Sequence, residues 1–314
     1  MPSLYLQTVT GPETVEKLGV MLPHEHLFTD LRGPQTPGYA QGDPQAVYDI
    51  VGPHLAQAER AGVTALVECS TGGVGRNIQI LKFLAERTSI KIIAPTGVYR
   101  EAFIPTAWLD TPMEALADAW IADLTQGIDG TPIRAGFIKI AMSDDGPTRR
   151  EVRNLQAAAR ASLATGAVIA SHTIGGALAM REMDILEEAG LDLSRFIWVH
   201  ANAEADMAYH LKAAQRGAYV ELDGLSPAPA SLEDHTRYAI NLVNAGFAEK
   251  VLISHDAGWY QPGSPTGQPE GGYRGYTTVI KEFMPMLQQR GVSDDNIRLL
   301  VHANPTRAFG FKPG

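Results

Sequence analysis

Gly19-Val20-Met21-Leu22-Pro23-His24-Glu25-His26 is the stretch on which the fold turns. The apolar run predicts a short strand over 19–23 that stops right after the two histidines. Side chains of extended backbone alternate faces, so His24 and His26 point one way and Glu25 the other. One metal ion could then touch both imidazoles. Seven more short apolar runs follow, at 65–68, 91–95, 135–140, 167–171, 196–199, 219–222 and 251–254. Between and after them lie stretches of helical period, at 46–61, 78–87, 113–124, 149–165, 177–189, 205–216, 232–245 and 276–290. Gly62, Gly166, Gly190, Gly217, Gly246 and Gly291 each stand just past the last apolar residue of a helical stretch, where a left-handed cap favours glycine. Eight strands alternating with helices predict an α/β fold, a single (β/α)8 barrel spanning 1–314 as one domain. The competing open sheet would carry a G-x-G-x-x-G turn after a strand, and none is present; Thr71-Gly72-Gly73-Val74-Gly75 comes nearest and reads as a loop.

Composition narrows the function classes. The chain is 45% hydrophobic and 19% charged, with a net charge of −9 and no cluster of Lys and Arg, which argues against a nucleic-acid partner. No run of about 18 apolar residues occurs, nor a basic opening followed by an apolar stretch, so no membrane association and a cytoplasmic location are expected. Cys69, the single cysteine, cannot form an intrachain disulfide and reads as a buried thiol in its strand. Barrels often pair, and a homodimer is expected. No G-x-S-x-G elbow is present, which removes the usual covalent route to ester cleavage.

Chemistry gathers at the strand ends. The first run closes on His24 and His26, the fourth contains Lys139, the fifth ends on His172, the sixth on His200 and the eighth on Asp256. Inward positions recur every second residue, so all of these can face the C-terminal mouth, where barrel active sites lie. The alternation that turns Asp256 inward turns His255 outward and gives it no metal role. His54, His210, His235 and His302 fall in helical stretches or the C-terminal tail, where solvated or supporting roles are expected. Lys139 is the odd member, because an ammonium beside two dications is repelled. It is either neutral or chemically altered, or it pairs with Asp144 or Asp145. The loop at 258–275, with Trp259, Tyr260 and Tyr273, is placed to cover the mouth.

These residues resemble the phosphotriesterase family of the amidohydrolase superfamily, which includes the phosphotriesterase-like lactonases. The similarity runs almost end to end, through Leu22-Pro23-His24-Glu25-His26, Gly136-Phe137-Ile138-Lys139-Ile140, Ala157 to Ala161, Ser171-His172-Thr173, Ser254-His255-Asp256 and Asn304-Pro305. It implies two divalent cations, zinc first, with cobalt, iron or manganese as alternatives. His24, His26 and Asp256 would hold the more buried ion, His172 and His200 the more exposed one, and Lys139, carboxylated by carbon dioxide, would bridge both. Carboxylation turns the cation into a bidentate anion and resolves the charge conflict. A hydroxide bridging the ions would be the nucleophile and Asp256 the proton carrier, with Glu221 or Asp223 orienting the step from behind. Tyr99 matches an aromatic that borders the metals in the lactonases, and Trp259 and Tyr260 are expected to line the substrate pocket. The expected activity is hydrolysis of small-molecule lactones with promiscuous turnover of organophosphate triesters; the alternatives are a dedicated phosphotriesterase and a non-catalytic binding barrel. Two positions depart from the family. Leu222-Asp223 is followed by Gly224, where lactonases of acyl-homoserine lactones carry an arginine and phosphotriesterases a histidine. After His200 the chain reads Ala201-Asn202-Ala203-Glu204 rather than placing acidic residues close behind.

Overall fold

A computed structural model describes residues 4–312. Its core is a parallel sheet of β1 (Val20–Phe28), β2 (Val63–Glu68), β3 (Lys91–Ile93, resuming at Pro95–Thr96), β4 (Phe137–Ala141), β5 (Ile169–His172), β6 (Phe196–Val199), β7 (Tyr219–Leu222) and β8 (Val251–Ile253). Each strand pairs in parallel with the next. β3 is interrupted at Ala94, its first piece bonded to β2 and its second to β4. Pro95, with no N–H to give, suits the changeover.

The ring closes between β8 and β1 without a regular ladder. His24 N–H donates to Ser254 Oγ at 3.0 Å, Asp256 N–H to the His24 carbonyl at 3.2 Å, and His26 N–H to the Ala257 carbonyl at 2.9 Å. A short strand, Gly258–Tyr260, then runs parallel to β1, with Gly258 opposite His26 and Tyr260 opposite Phe28. Gly258 has φ +99°, and a Cβ there would lie 1.9 Å from the His26 carbonyl oxygen, so only glycine permits this approach.

β1 is longer than the sequence reading allowed. Instead of stopping after the histidines it runs on to Phe28, with a register shift between Leu22 and Glu25 where Pro23 cannot donate to the ladder. The other boundaries moved by one to three residues, while Phe196–Val199, Tyr219–Leu222 and the helix Arg149–Thr165 stand at the expected ends. Thr148 explains that last start: its hydroxyl accepts the Glu151 N–H at 3.2 Å and the Glu151 carboxylate accepts the Thr148 N–H at 2.9 Å, a reciprocal cap. All six predicted cap glycines take φ between 83° and 101°. The last helical stretch opens with a wide π-turn, Val279–Phe283, before Met284–Gln289.

Burial separates two layers. Met21, Val67, Ile93, Phe137, Ile197 and Leu252 fill the barrel, while Leu22, Leu66, Ile138, Trp198, Val220 and Ile253 point out against the helices. An antiparallel hairpin that the sequence reading did not anticipate, Tyr5–Thr8 and Gly11–Thr14, joins Gly310–Phe311 in a small sheet. Leu6 and Phe309 carry the barrel interior onto these terminal segments, and Phe309 meets Phe137 edge-on at 5.2 Å between ring centroids. No helix among the described residues is long and apolar enough to cross a membrane.

One buried carboxyl has a stability consequence. Glu182, on the helix Gly176–Glu188, is 1% exposed and accepts hydrogen bonds from the Ser171 and Thr173 hydroxyls. Burial pushes its carboxyl up from 4.5 to about 8. The folded state therefore holds a proton that the unfolded chain releases above its lower value, and stability falls as pH rises from about 4.5 to about 8. Glu182→Gln, neutral throughout, is expected to remove most of that slope and to stabilise the protein at pH 8 by about 2–4 kcal/mol more than at pH 5. Urea midpoints at the two pH values measure this; equal slopes for both proteins would refute it.

Candidate metal centre

The strand geometry brings the six expected ligands to one end of the barrel. β1 carries His24 and His26 inward with Glu25 behind them; β4 carries Lys139 on the face of Phe137, and β5 carries His172 on the face of Ala170. His200 breaks the alternation. Ile197 and Val199 fill the barrel interior, so strict period two would turn His200 out, but its left-handed backbone, φ +63°, returns the ring to the mouth. Asp256 is left-handed as well, at φ +48°. His24, His26, Lys139, His172, His200 and Asp256 all line one cavity, together with Thr29, Leu31, Cys69, Val74, Tyr99 and Trp259.

Distances give the cluster its form. Asp256 Oδ1 lies 3.1 Å from His26 Nε2 and 3.7 Å from His24 Nε2. The His172 and His200 rings are 4.5 Å apart, and those of His24 and His200 5.1 Å. Donor atoms of His24, His26 and Asp256 lie within 4.8 Å of one another, as a shared ion requires. A second trio, His24, His200 and Asp223, meets the same limit, but Asp223 sits on the Nδ1 side of both rings, at 3.2 and 2.8 Å, and so serves as a hydrogen-bond acceptor behind them.

Every imidazole is held at its outer nitrogen. His24 Nδ1 meets Glu221 Oε2 and Asp223 Oδ2, each at 3.2 Å; His26 Nδ1 meets Ser70 Oγ at 2.7 Å; His172 Nδ1 meets the Tyr99 hydroxyl at 3.2 Å; and His200 Nδ1 meets Asp223 Oδ1 at 2.8 Å. A proton kept on Nδ1 leaves the Nε2 lone pair for a cation, the usual arrangement behind metal-binding histidine. Burial, then Lys139, lowers His24 to about 3; burial and the neighbouring His200 hold His172 well below its ordinary value. Both rings are neutral at physiological pH. Burial pushes the Asp256 carboxyl up, but His26, His24 and His200 outweigh it and keep the group ionised.

Three buried polar atoms in this cavity have no hydrogen-bond partner: Lys139 Nζ, His172 Nε2 and Asp256 Oδ1. Lys139 is 2% exposed, and among the described residues no carboxylate pairs with it; Asp144 lies by Arg100 at 3.3 Å instead. The expected alternative of an ion pair with Asp144 or Asp145 is therefore corrected. An unpaired ammonium at such depth costs several kcal/mol or more. A lysine made anionic and oriented between cations carries no such cost, and the donor set fits divalent metal.

The flanking residues divide. Tyr99 and Trp259 line the cavity, with the Trp259 ring 4.4 Å from that of His26. Tyr260, expected beside it, is 8% exposed, stacks on Phe28 at 5.8 Å and does not line the cavity, because alternation along Gly258–Tyr260 sends neighbours to opposite faces. Glu204 is occupied elsewhere, accepting from Gly176 N and Asp206 N. Gly224 is locked in place: Asn202 Oδ1 accepts the N–H groups of Asp223 and Gly224 at 3.0 and 3.2 Å, and a Cβ at 224 would lie 2.5 Å from Asn202 Nδ2. His255, as expected, points away from the mouth. His210 and His302 bond backbone carbonyls of Ala201 and Gly19, and His54 stacks on Tyr273. The sequence reading passed over Glu25, Ser70 and Asn202; the parity that placed His24 and His26 inward could have flagged Glu25 as the one carboxylate behind them.

The model of the phosphotriesterase family matches residues 4–309. A phosphotriesterase homology protein of Mycobacterium tuberculosis is 30% identical over 325 residues, covering 97% of each chain. The aryldialkylphosphatase of Saccharolobus solfataricus is 28% identical, covering 96% of this chain and 98% of that one. Among solved structures, a weak promiscuous lactonase used as a template for engineering organophosphate hydrolysis superposes with a TM-score of 0.87 at 29% identity, covering 98% of this chain and 100% of that one. With a matching family model over nearly its whole length, this chain belongs to the phosphotriesterase family and is a hydrolase acting on ester bonds.

Proposed function

We propose that the protein is a binuclear metal-dependent lactonase that also turns over organophosphate triesters as promiscuous substrates. The observation that carries this reading is the convergence of four histidines and Asp256 on Lys139, whose buried Nζ has no protein partner. His24, His26 and Asp256 would hold one ion, His172 and His200 the other, with carboxylated Lys139 between them. When bound, two divalent cations supply a water ionised near neutral pH and polarise the oxygen under attack.

The chain's own side chains do the rest. Asp223, Glu221, Ser70 and Tyr99 fix the rings so that each Nε2 faces the centre. Asp256 takes the proton released as water adds to the acyl carbon, and delivers it to the leaving alkoxide oxygen. Tyr99 stands over His172 at 5.2 Å and Trp259 over His26 at 4.4 Å, walling the cavity on two sides. A slot of this kind favours a flat ring with one substituent over a phosphorus centre with three. Lys139 aside, the cavity lining has no Lys or Arg, which suits an uncharged substrate.

Three outcomes test the reading. Protein purified with zinc or cobalt supplied is expected to carry about two ions per chain, lost together with activity on chelation; fewer than one ion would favour a binding barrel instead. Asp256→Asn, fully loaded with metal, is expected to lower kcat on lactones by about 100-fold or more, and activity within tenfold of the parent would exclude the residue as proton carrier. A panel of γ- and δ-lactones against paraoxon-like triesters at equal metal loading is expected to give the higher kcat/KM on lactones. The reverse order would make the protein a dedicated phosphotriesterase.

A further inference from the structure

Behind the metal-facing side of β1 the backbone of β8's exit loop is tied to a single carboxylate. Glu25 is fully buried, at 0% exposure. Its Oε1 accepts from Ser254 Oγ at 2.8 Å, from His255 N at 3.1 Å and from His255 Nδ1; its Oε2 accepts from Ala257 N at 3.0 Å. The donors therefore come from residues on both sides of Asp256. The Val279 N–H donates to His255 Nε2 at 2.9 Å, which leaves the ring's proton on Nδ1, facing Glu25. Ser254 Oγ, donating to Glu25, accepts the His24 N–H, so the same knot holds the histidine strand and the aspartate loop together.

Asp256 needs such a knot. Its left-handed backbone is disfavoured for any residue with a Cβ and persists only where the surroundings over-determine it. Its own carbonyl is held from the other side by Trp259 Nε1 at 3.1 Å and by the Arg274 guanidinium. Glu25 supplies the acceptors that a regular ladder would have provided at this seam.

We propose that Glu25 is the positioning residue for Asp256: β1 offers two histidines from one face and, from the other, sets where the carboxylate of a different strand stands. The inference rests on the reading of Asp256 as a ligand and proton carrier. A carboxylate that only stabilised the fold would leave metal affinity and kcat unchanged once the protein had folded. Glu25→Gln replaces one acceptor by an NH2 group facing N–H donors, and the 254–257 segment must shift.

The experiment measures zinc affinity by competition with a chromophoric chelator, alongside kcat, KM and thermal midpoint. For Glu25→Gln we expect a 10- to 100-fold loss of affinity at one of two sites and a matching fall in kcat, with KM within threefold. His255→Ala removes one of the four bonds and keeps the carboxylate, so it should lose about threefold to tenfold; it also serves if Glu25→Gln does not fold. Glu151→Gln, an equally buried carboxylate that caps the helix Arg149–Thr165 and bonds Glu101 and Ser143 but no residue of the β8–β1 seam, should lower the thermal midpoint and leave zinc affinity within twofold. The proposal falls if a folded Glu25→Gln, or His255→Ala in its place, keeps parental zinc affinity and kcat, or if Glu151→Gln loses as much affinity. Parent protein binding fewer than one zinc would sink the metal reading itself, a distinct result.

Discussion

The barrel closes where β8 meets β1, and the ladder there is irregular, with a few backbone bonds at residues 256 and 257 before regular pairing begins at Gly258–Tyr260. Asp256 and Trp259 both have positive φ, at 48° and 76°, so the chain leaving β8 cannot present a regular row of N–H and C=O groups to β1. Side chains substitute: Ser254 accepts from His24, Glu25 accepts from residues 254, 255 and 257, and Tyr276 donates to the His26 carbonyl at 3.0 Å. Three of the six candidate ligands sit on this seam. Barrel integrity and the geometry of the centre are thus one problem here, solved by the same buried polar network, which is why the Glu25 carboxylate is so fully satisfied.

How much of this was legible follows from one rule, the two-residue alternation of a strand. It placed Lys139 and His172 correctly because each lies in regular backbone continuous with a filled interior face, and it put His24 and His26 on one shared face, which the register shift between Leu22 and Glu25 turns to the interior side of Met21. The same rule would have turned His200 outward, and only its left-handed φ makes that residue converge; sequence carries no cue to positive φ at a histidine. Tyr260 was misplaced for the opposite reason, because residues 258–260 looked like loop and are a strand paired with β1. β1 itself looked shorter than it is: it was expected to stop right after the histidines, whereas the chain absorbs Pro23 in a register shift and goes on to Phe28. The terminal hairpin escaped notice because Gly11-Pro12-Glu13-Thr14 is polar and the strand that joins the other side of Tyr5–Thr8 lies some three hundred residues away.

The partners behind the histidines form a less readable class. Ser70 lies beyond β2, Tyr99 beyond β3, Asp223 beyond β7, and they share no spacing or residue type. What they share is a position just past a strand end, where side chains fan outward from the mouth. Asp223 was foreseen and proves to join two rings at once, His24 and His200. Glu221, two residues earlier in β7, reaches only His24, and burial beside Asp223 pushes its carboxyl well up, whereas His200 and His24 outweigh burial at Asp223 and hold it well below the usual carboxylate range. Two acids one turn of the pleat apart thus take different roles through burial and neighbours alone.

Gly224 shows how an absence can be constructed. Asn202 spans from the turn after β6 to the backbone N–H groups of Asp223 and Gly224, and its amide fills the volume that a side chain at 224 would need. The Asp223 that Asn202 fixes is the one that meets His24 and His200, so a bulky side chain at 224 would disturb the support of those two rings. The walls of the cavity away from the ligands include Leu31, Val74, Tyr99 and Trp259, which are apolar or aromatic. The loops after β6 and β7 are thus stapled together through Asn202, a constraint set by hydrogen bonding alone.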